Sequence, residues 1–363
     1  MDPPDRCDST TRHLMLLPSL ACQARCSYCF GPNQGPVMRP EVFDAALDWI
    51  SATTPPDQAL EITFHGGEPL IAGTAWYRRN LPLLRRRLGD RLRLGIQSNL
   101  WLLDDETCEL FREHRVSIGT SLDGPEAIND AQRGSGYFAR TMAGIETARR
   151  HGLGAGVICT FTRRSAPHYR EVFEFFAGQW LGFSVHAAVC GLDGARDDGL
   201  ALTAQEKAGL FIELFDYYQA NVTRARISTF NSMARSISAG HGGLCTFTDC
   251  LGGYLTLAPD GGIFSCNRFA HHPEWRLGWV QQGPALEELG CSPAWQTLRR
   301  RELAVHEDCG DCAHFAYCRG GCAYNAIAAA PGVAARGGGN PAGPASPTHP
   351  RCRERNTLGT RES

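Results

Sequence analysis

From residue 12 to about 220, short apolar runs alternate with longer stretches in which apolar positions return every three or four residues. The runs are HLMLLPS (13–19), LEITF (60–64), RLGIQS (93–98), RVSIGTSL (115–122), AGVICTFT (155–162) and FSVHAAV (183–189). Each has the length of a strand and falls short of a helix. Between them lie RPEVFDAALDWISA, AWYRRNLPLLRRRL, DDETCELFREH and FARTMAGIETARRHG, and LTAQEKAGLFIELFDYYQANV continues the helical pattern. Pro40 stands where the first helix begins and Gly152 where the fourth stops. Strands alternating with helices predict a parallel α/β sheet, open or rolled into a partial barrel.

After about residue 240 the texture changes to Gly, Cys and aromatic residues with short strands. A hairpin is expected at YLTLAPDGGIFSC, turning at PDGG. A core this thin asks for metal support. Residues 331–350, PGVAARGGGNPAGPASPTHP, read as a flexible insertion. The expected division is a tail at 1–11, a barrel at 12–235, a small Cys-rich domain at 236–357 and a tail at 358–363.

Composition adds three constraints. Lys and Arg total 36 against 38 Asp and Glu, so no basic field recruits nucleic acid. The first residues lack an apolar export segment and no apolar run reaches membrane-spanning length, which points to a cytoplasmic protein. In such a chain the sixteen cysteines point to metal or chemistry more than to disulfides. Two of them, Cys159 and Cys190, end apolar runs and are expected to be buried.

Cys22, Cys26 and Cys29 form C-x3-C-x2-C directly after the first strand, on a loop of the edge where parallel folds gather their chemistry. Three thiolates leave a metal one position short. By donor type alone a zinc site with a distant fourth ligand fits as well. The triplet, with Tyr28 before its last Cys, resembles the signature of the radical S-adenosylmethionine (SAM) enzymes. The resemblance implies that the three thiolates hold a 4Fe–4S cluster whose fourth iron is chelated by SAM. It also implies that a 5′-deoxyadenosyl radical, formed by reductive SAM cleavage, takes a hydrogen atom from substrate.

Further motifs agree in order. HGGEPL places Gly66, Gly67, Glu68 and Pro69 at the end of the second strand, similar to the family's GGEP motif that receives the SAM ammonium. Glycine there suits a main chain that approaches its ligand closely. QSN ends the third strand, with Asn99 where the family contacts the ribose. Ser121 in SLDGP and Arg133 in AQRGSGYF correspond to carboxylate-binding residues of the peptide-modifying branch.

The C-terminal cysteines resemble a SPASM domain, which houses two auxiliary clusters. By position, Cys245, Cys250, Cys266 and Cys322 would hold one, and Cys309, Cys312, Cys318 and Cys352 the other. The fold implied is a partial (β/α)6 TIM-like barrel followed by this domain, with three 4Fe–4S clusters and SAM as cofactors. Both auxiliary sets are complete, which favours electron relay. Two zinc sites would use the same donors.

One departure is informative. Sulfatase-maturing relatives carry an Asp base after the Cys of the G-x4-C motif, and here that position is Asn267. An amide does not accept a proton as a carboxylate does. Arg268, His271 and His272 are the polar groups nearby. The expected function is therefore maturation of a ribosomally synthesised peptide, forming a thioether or carbon–carbon crosslink. Its partners would be the precursor peptide and an electron donor such as flavodoxin or ferredoxin. With the first strand at residue 13, leader recognition would fall to a separate protein or to the barrel edge. Oxidation of a protein Cys or Ser, chemistry on RNA or a small molecule, and a non-catalytic iron–sulfur carrier are the competing readings.

Overall fold

A computed structural model describes residues 11–192 and 199–329. Cys352, the 331–350 segment, the expected tail at 358–363 and all but the last residue of the expected tail at 1–11 lie outside those residues; Thr11 itself already belongs to the first strand. Nine strands form one sheet: β1 (Thr11–Ser19), β2 (Ala59–Gly66), β3 (Leu92–Gln97), β4 (Val116–Ser121), β5 (Ala155–Phe161), β6 (Phe183–Ala187), β7 (Tyr254–Leu257), β8 (Gly262–Phe264) and β9 (Gly278–Trp279). Their spatial order is β6-β5-β4-β3-β2-β1-β7-β8-β9. β1 to β6 pair in parallel with their sequence neighbours, giving a partial barrel that does not close.

The alternation along β2 shows why the sheet curls one way. Leu60, Ile62 and Phe64 are buried on the helix side, while Glu61, Thr63 and His65 face the lumen and stay partly open. Phe64 meets Trp76 and Tyr77 of the helix Thr74–Leu88 edge to face, at 5.9 and 5.4 Å. The main core lies in this layer between sheet and helices. Helix ends follow their sequence signals. Pro40 opens Pro40–Thr53, and Thr203 with Glu206 forms a capping box at Ala204–Ala220. Gly152, at φ +71°, closes Tyr137–Arg150, where Leu153 N–H reaches back to Ala148 O.

The C-terminal hairpin is β7–β8, and its turn is at residues 258–261 as PDGG predicts. It does not stand apart from the barrel. β7 pairs in parallel with β1, from His13 with Tyr254 to Leu16 with Leu257. A second core cluster of Leu17, Phe264, Phe269, Leu298 and Tyr324 packs beneath it. Residues 235 and 236 fall within one helix, Ser228–Ala239.

Helices Glu126–Arg133, Tyr169–Gly178 and Pro293–Cys309 were not among the expected segments. The first is only eight residues long and buries the polar side chains Asn129, Gln132 and Arg133, so it shows no apolar stripe to read. It is held at its exit by Asp130, which accepts from Gly136 N–H at 2.6 Å and Phe138 N–H at 2.8 Å. Cys159 is fully buried. Cys190 is only half-buried, because β6 ends at Ala187 and the chain leaves the sheet before reaching it.

Candidate active site

Three loops meet at the carboxyl edge of the sheet. The loop after β1 carries the cysteine triplet. Cys22 N–H donates to Asn33 O at 3.3 Å and Cys29 N–H to Cys26 O at 3.2 Å, which folds the loop back around its thiols. Burial pushes Cys22 up to about 12 and Cys26 up to about 11, and each thiol is further influenced by its neighbours in the triplet. Thiols this reluctant to ionise would release their protons on binding metal.

The loop after β2 packs directly against that one. Gly67 N–H donates to Ser19 O at 3.1 Å and Glu68 N–H to Ala21 O at 2.8 Å. A Cβ on Gly66 would lie 2.1 Å from Ser19 O, and one on Gly67 would lie 2.3 Å from Leu20 O and 2.5 Å from Ala21 O. The glycines thus admit the backbone that leads into Cys22. We predict that Gly67→Ala displaces residues 20–22 and lowers iron bound at the triplet; iron content equal to the parent protein would contradict this.

Glu68 is buried and supports the third strand's exit. Its carboxylate accepts from Leu70 N–H (2.9 Å), Ser98 Oγ (2.7 Å) and Asn99 N–H (2.7 Å). Burial pushes its pKa up to about 7 despite those three donors. The native state therefore keeps a proton that the unfolded chain releases above its ordinary 4.5. The stabilisation is full below that value and is lost as pH rises through 7. It amounts to about 3 kcal/mol. Denaturation of the cluster-free protein across pH 4.5 to 8 should show this decline, and Glu68→Gln should flatten it. An unchanged slope in the variant would remove Glu68 as its source.

Asn99 Oδ1 accepts from Trp101 N–H at 3.0 Å, which orients the amide. Its Nδ2 is then buried with no hydrogen-bond partner among the described residues. A buried donor left unpaired costs about 1–3 kcal/mol, which a ligand acceptor would offset. That orphan suits the ribose contact implied by the resemblance.

The third loop follows β4. Ser121 Oγ accepts from Gln97 Nε2 at 3.1 Å. Two residues on, Asp123 forms the centre of a network that sequence reading missed. Arg133 reaches it through Nε and Nη2, both at 2.8 Å, with the two side chains 6% and 0% exposed. Tyr28 Oη (2.8 Å), Gln132 Nε2 (2.9 Å) and Thr160 N–H (2.9 Å) also donate to Asp123. Ser27, between two of the cysteines, donates its N–H and Oγ to Gln132 O at 2.8 and 3.0 Å. The triplet loop is thereby tied to β4 and β5. Arg133 is neither exposed nor on a loop, and two of its nitrogens are committed. Nη1 remains, 3.2 Å from Tyr137 Oη and 4.0 Å from Cys26 Sγ. A buried arginine demands a carboxylate, and the Asp of SLDGP was the signal available for finding it.

The cysteines expected to hold the first auxiliary cluster lie on three segments. Cys245 and Cys250 precede β7, Cys266 follows β8, and Cys322 precedes the helix Ala323–Ala329. Burial raises Cys250, and the charges of Cys245, Cys322 and Cys266 raise it further; Cys245 and Cys266 likewise sense Cys322. Of the second set, Cys309 ends the helix Pro293–Cys309, Cys312 N–H donates to Cys309 O at 3.0 Å, and Cys318 ends Phe315–Cys318. Among the described residues no group of three or more His, Cys, Asp or Glu side chains is placed to hold a single metal ion. A cubane cluster takes a wider set, because each thiolate binds a different iron. Asn267 Oδ1 lies 3.4 Å from Cys266 Sγ. His272 is buried, and its ring lies 3.9 Å from that of His271.

A family model of the radical SAM superfamily matches residues 16–176. An uncharacterized protein of Methanothermobacter thermautotrophicus is 40% identical over 226 residues, covering 62% of this chain and 86% of that one. A cysteine-type anaerobic sulfatase-maturating enzyme of Clostridium perfringens is 25% identical over 325 residues, covering 84% and 86%. Among solved structures, anSMEcpe with bound AdoMet and a Cp18Cys peptide superposes with a TM-score of 0.74 at 23% identity, over 85% of this chain and 88% of that one. Streptococcus suis SuiB bound to its precursor peptide SuiA superposes with a TM-score of 0.60 at 16% identity, over 80% and 66%.

Proposed function

This chain belongs to the radical SAM superfamily, and from that premise we propose that it is a peptide maturase that crosslinks a ribosomally synthesised precursor. The superfamily uses SAM and a 4Fe–4S cluster, and SPASM-containing relatives bind additional clusters. When bound, this cofactor pair supplies the radical that takes a hydrogen atom from a substrate carbon. The chain's residues supply placement. Cys22, Cys26 and Cys29 would hold the cluster beside the buried Asp123–Arg133 pair. Tyr28, Gly66, Gly67, Glu68, Pro69, Asn99, Ser121 and Arg133 would seat SAM. Cys245, Cys250, Cys266 and Cys322, with the second set of Cys309, Cys312, Cys318 and Cys352, would hold the auxiliary clusters.

The observation that carries the crosslinking reading is Asn267. Directly after Cys266, where a carboxylate base would serve formation of an aldehyde from Cys or Ser, the chain places an amide. The SuiB complex, with the same fold, carries a precursor peptide. An electron donor of flavodoxin or ferredoxin type, and a separate leader-binding protein, complete the proposed set of partners. The sulfatase-maturating relatives favour a second reading, oxidation of a protein Cys or Ser. Incubating the reconstituted enzyme with SAM, reductant and any small peptide found encoded beside its gene separates the two. Loss of two hydrogens with a crosslinked fragmentation pattern supports maturation. A carbonyl that reacts with hydrazine reagents would replace it with the second reading.

A further inference from the structure

The three residues that lead out of β3 are committed to two different loops of the site. Ser98 Oγ and Asn99 N–H both donate to the Glu68 carboxylate, at 2.7 Å each. Gln97 turns the other way. It lies on the lumen face of β3, opposite the buried Ile96, and pairs in register with Gly119 of β4. Its side chain crosses Gly119, and Nε2 donates to Ser121 Oγ at 3.1 Å. Ser121 stands two residues beyond Gly119 on the same face of β4, opposite the fully buried Thr120. The QSN turn therefore joins the loop after β2 to the loop after β4.

Glycine at 119 is what permits the crossing. A Cβ there would lie 2.3 Å from Gln97 Oε1 and 3.3 Å from Gln97 Cδ. Gly119 does not adopt a left-handed φ, so the glycine answers to the side chain lying over it and not to a demand of the backbone. With any larger residue the amide would have to shift, and Ser121 would lose its donor.

The direction of that bond matters. A serine hydroxyl donates one hydrogen and accepts on two lone pairs, whereas an amide nitrogen of glutamine only donates. One lone pair of Ser121 is thus taken by Gln97, and the Ser121 hydrogen has no acceptor among the described residues. The half-buried hydroxyl stands at the carboxyl edge of the sheet, two residues from the Asp123 that holds Arg133. It is a donor held in one pose and left unspent.

We propose that Gln97 is the positioning residue of Ser121. By occupying one hydroxyl lone pair, it turns the Ser121 hydrogen toward an acceptor oxygen of bound SAM. This rests on the reading that Ser121 helps to seat SAM, and it names the residue through which that hydroxyl is aimed. Gln97 then contributes to SAM affinity only while the hydroxyl is present, so the two side chains must be energetically coupled.

Equilibrium SAM binding to the reconstituted enzyme, measured together with iron content, tests this. Gln97→Ala should bind SAM roughly tenfold more weakly than the parent, equivalent to about 1.4 kcal/mol, with iron content unchanged. Ser121→Ala should weaken SAM at least as much, and adding Gln97→Ala to it should change nothing further. Gln97→Glu keeps the length but offers only acceptors, so the Ser121 hydrogen turns back to it and SAM affinity falls. Gly119→Ala should weaken SAM in the parent sequence and add nothing beside Gln97→Ala, where the obstructing amide is gone. Parent affinity in any of the four single variants would overturn the proposal, as would full additivity of Gln97→Ala and Ser121→Ala. Iron loss in Gln97→Ala would overturn it too, by making Gln97 a support of the triplet loop. If the parent enzyme binds SAM and the Gln97 variants match it, Gln97 falls and the SAM reading stands. If the parent enzyme holds its iron and binds no SAM, both fall.

Discussion

Replacing Cys22, Cys26 and Cys29 together with Ala should abolish 5′-deoxyadenosine formation and remove about four of about twelve irons per chain. The expected loss is total because the three thiols share one loop, bound at its start and its middle. Gly67 and Glu68 clasp its start and Gln132 its middle. The side chains removed are partly open and lie outside the buried core of β1, so the fold should persist. The auxiliary cysteines lie on other segments, beyond β6, and should retain their iron. Residual product from the triple variant would place the chemistry elsewhere.

The second large effect is expected at Asp123. Asp123→Ala strands the Arg133 guanidinium in a site where its side chain is 6% exposed. Removing one partner of a buried pair costs about 3–5 kcal/mol, because the remaining charge loses its counterion without regaining water. Tyr28, Gln132 and Thr160 lose an acceptor in the same step. Arg133→Met leaves the complementary charge stranded, with a similar cost. The double variant should cost clearly less than the sum of the singles, since neither charge then remains. SAM affinity should nonetheless be lost in all three, because Arg133 Nη1 is absent or misplaced. Denaturant midpoints of the cluster-free proteins give the stabilities, and equilibrium SAM binding gives the affinities. Strict additivity would contradict the ion-pair account.

The barrel was legible because its strands alternate strongly. Phe64 and His65 announce opposite faces, and every expected strand from β1 to β6 falls at its run. What escaped was contact between distant segments. Nothing in the spacing of YLTLAPDGGIFSC reveals that β7 pairs in parallel with β1, since register is set by packing rather than by local pattern. The motif glycines were recognisable, yet the clash their side chains would cause with Ser19 to Ala21 is a property of two loops at once. Arg133 was picked out and its partner was not. A helix whose inner face is made of polar side chains does not announce a buried ion pair, whereas burial at both ends makes the pair plain. The first auxiliary set was assigned by resemblance, and its four residues lie on three segments of the described chain. For the second set, Cys352 lies outside the described residues.

The measurement that tests the central claim most directly is anaerobic turnover without any peptide. The protein is reconstituted with iron and sulfide, its metal content is counted, SAM and a strong reductant are added, and 5′-deoxyadenosine is quantified by mass spectrometry. The account predicts about twelve irons per chain and steady formation of product. Bound zinc, little iron and no 5′-deoxyadenosine would contradict it and reduce the cysteines to a structural scaffold.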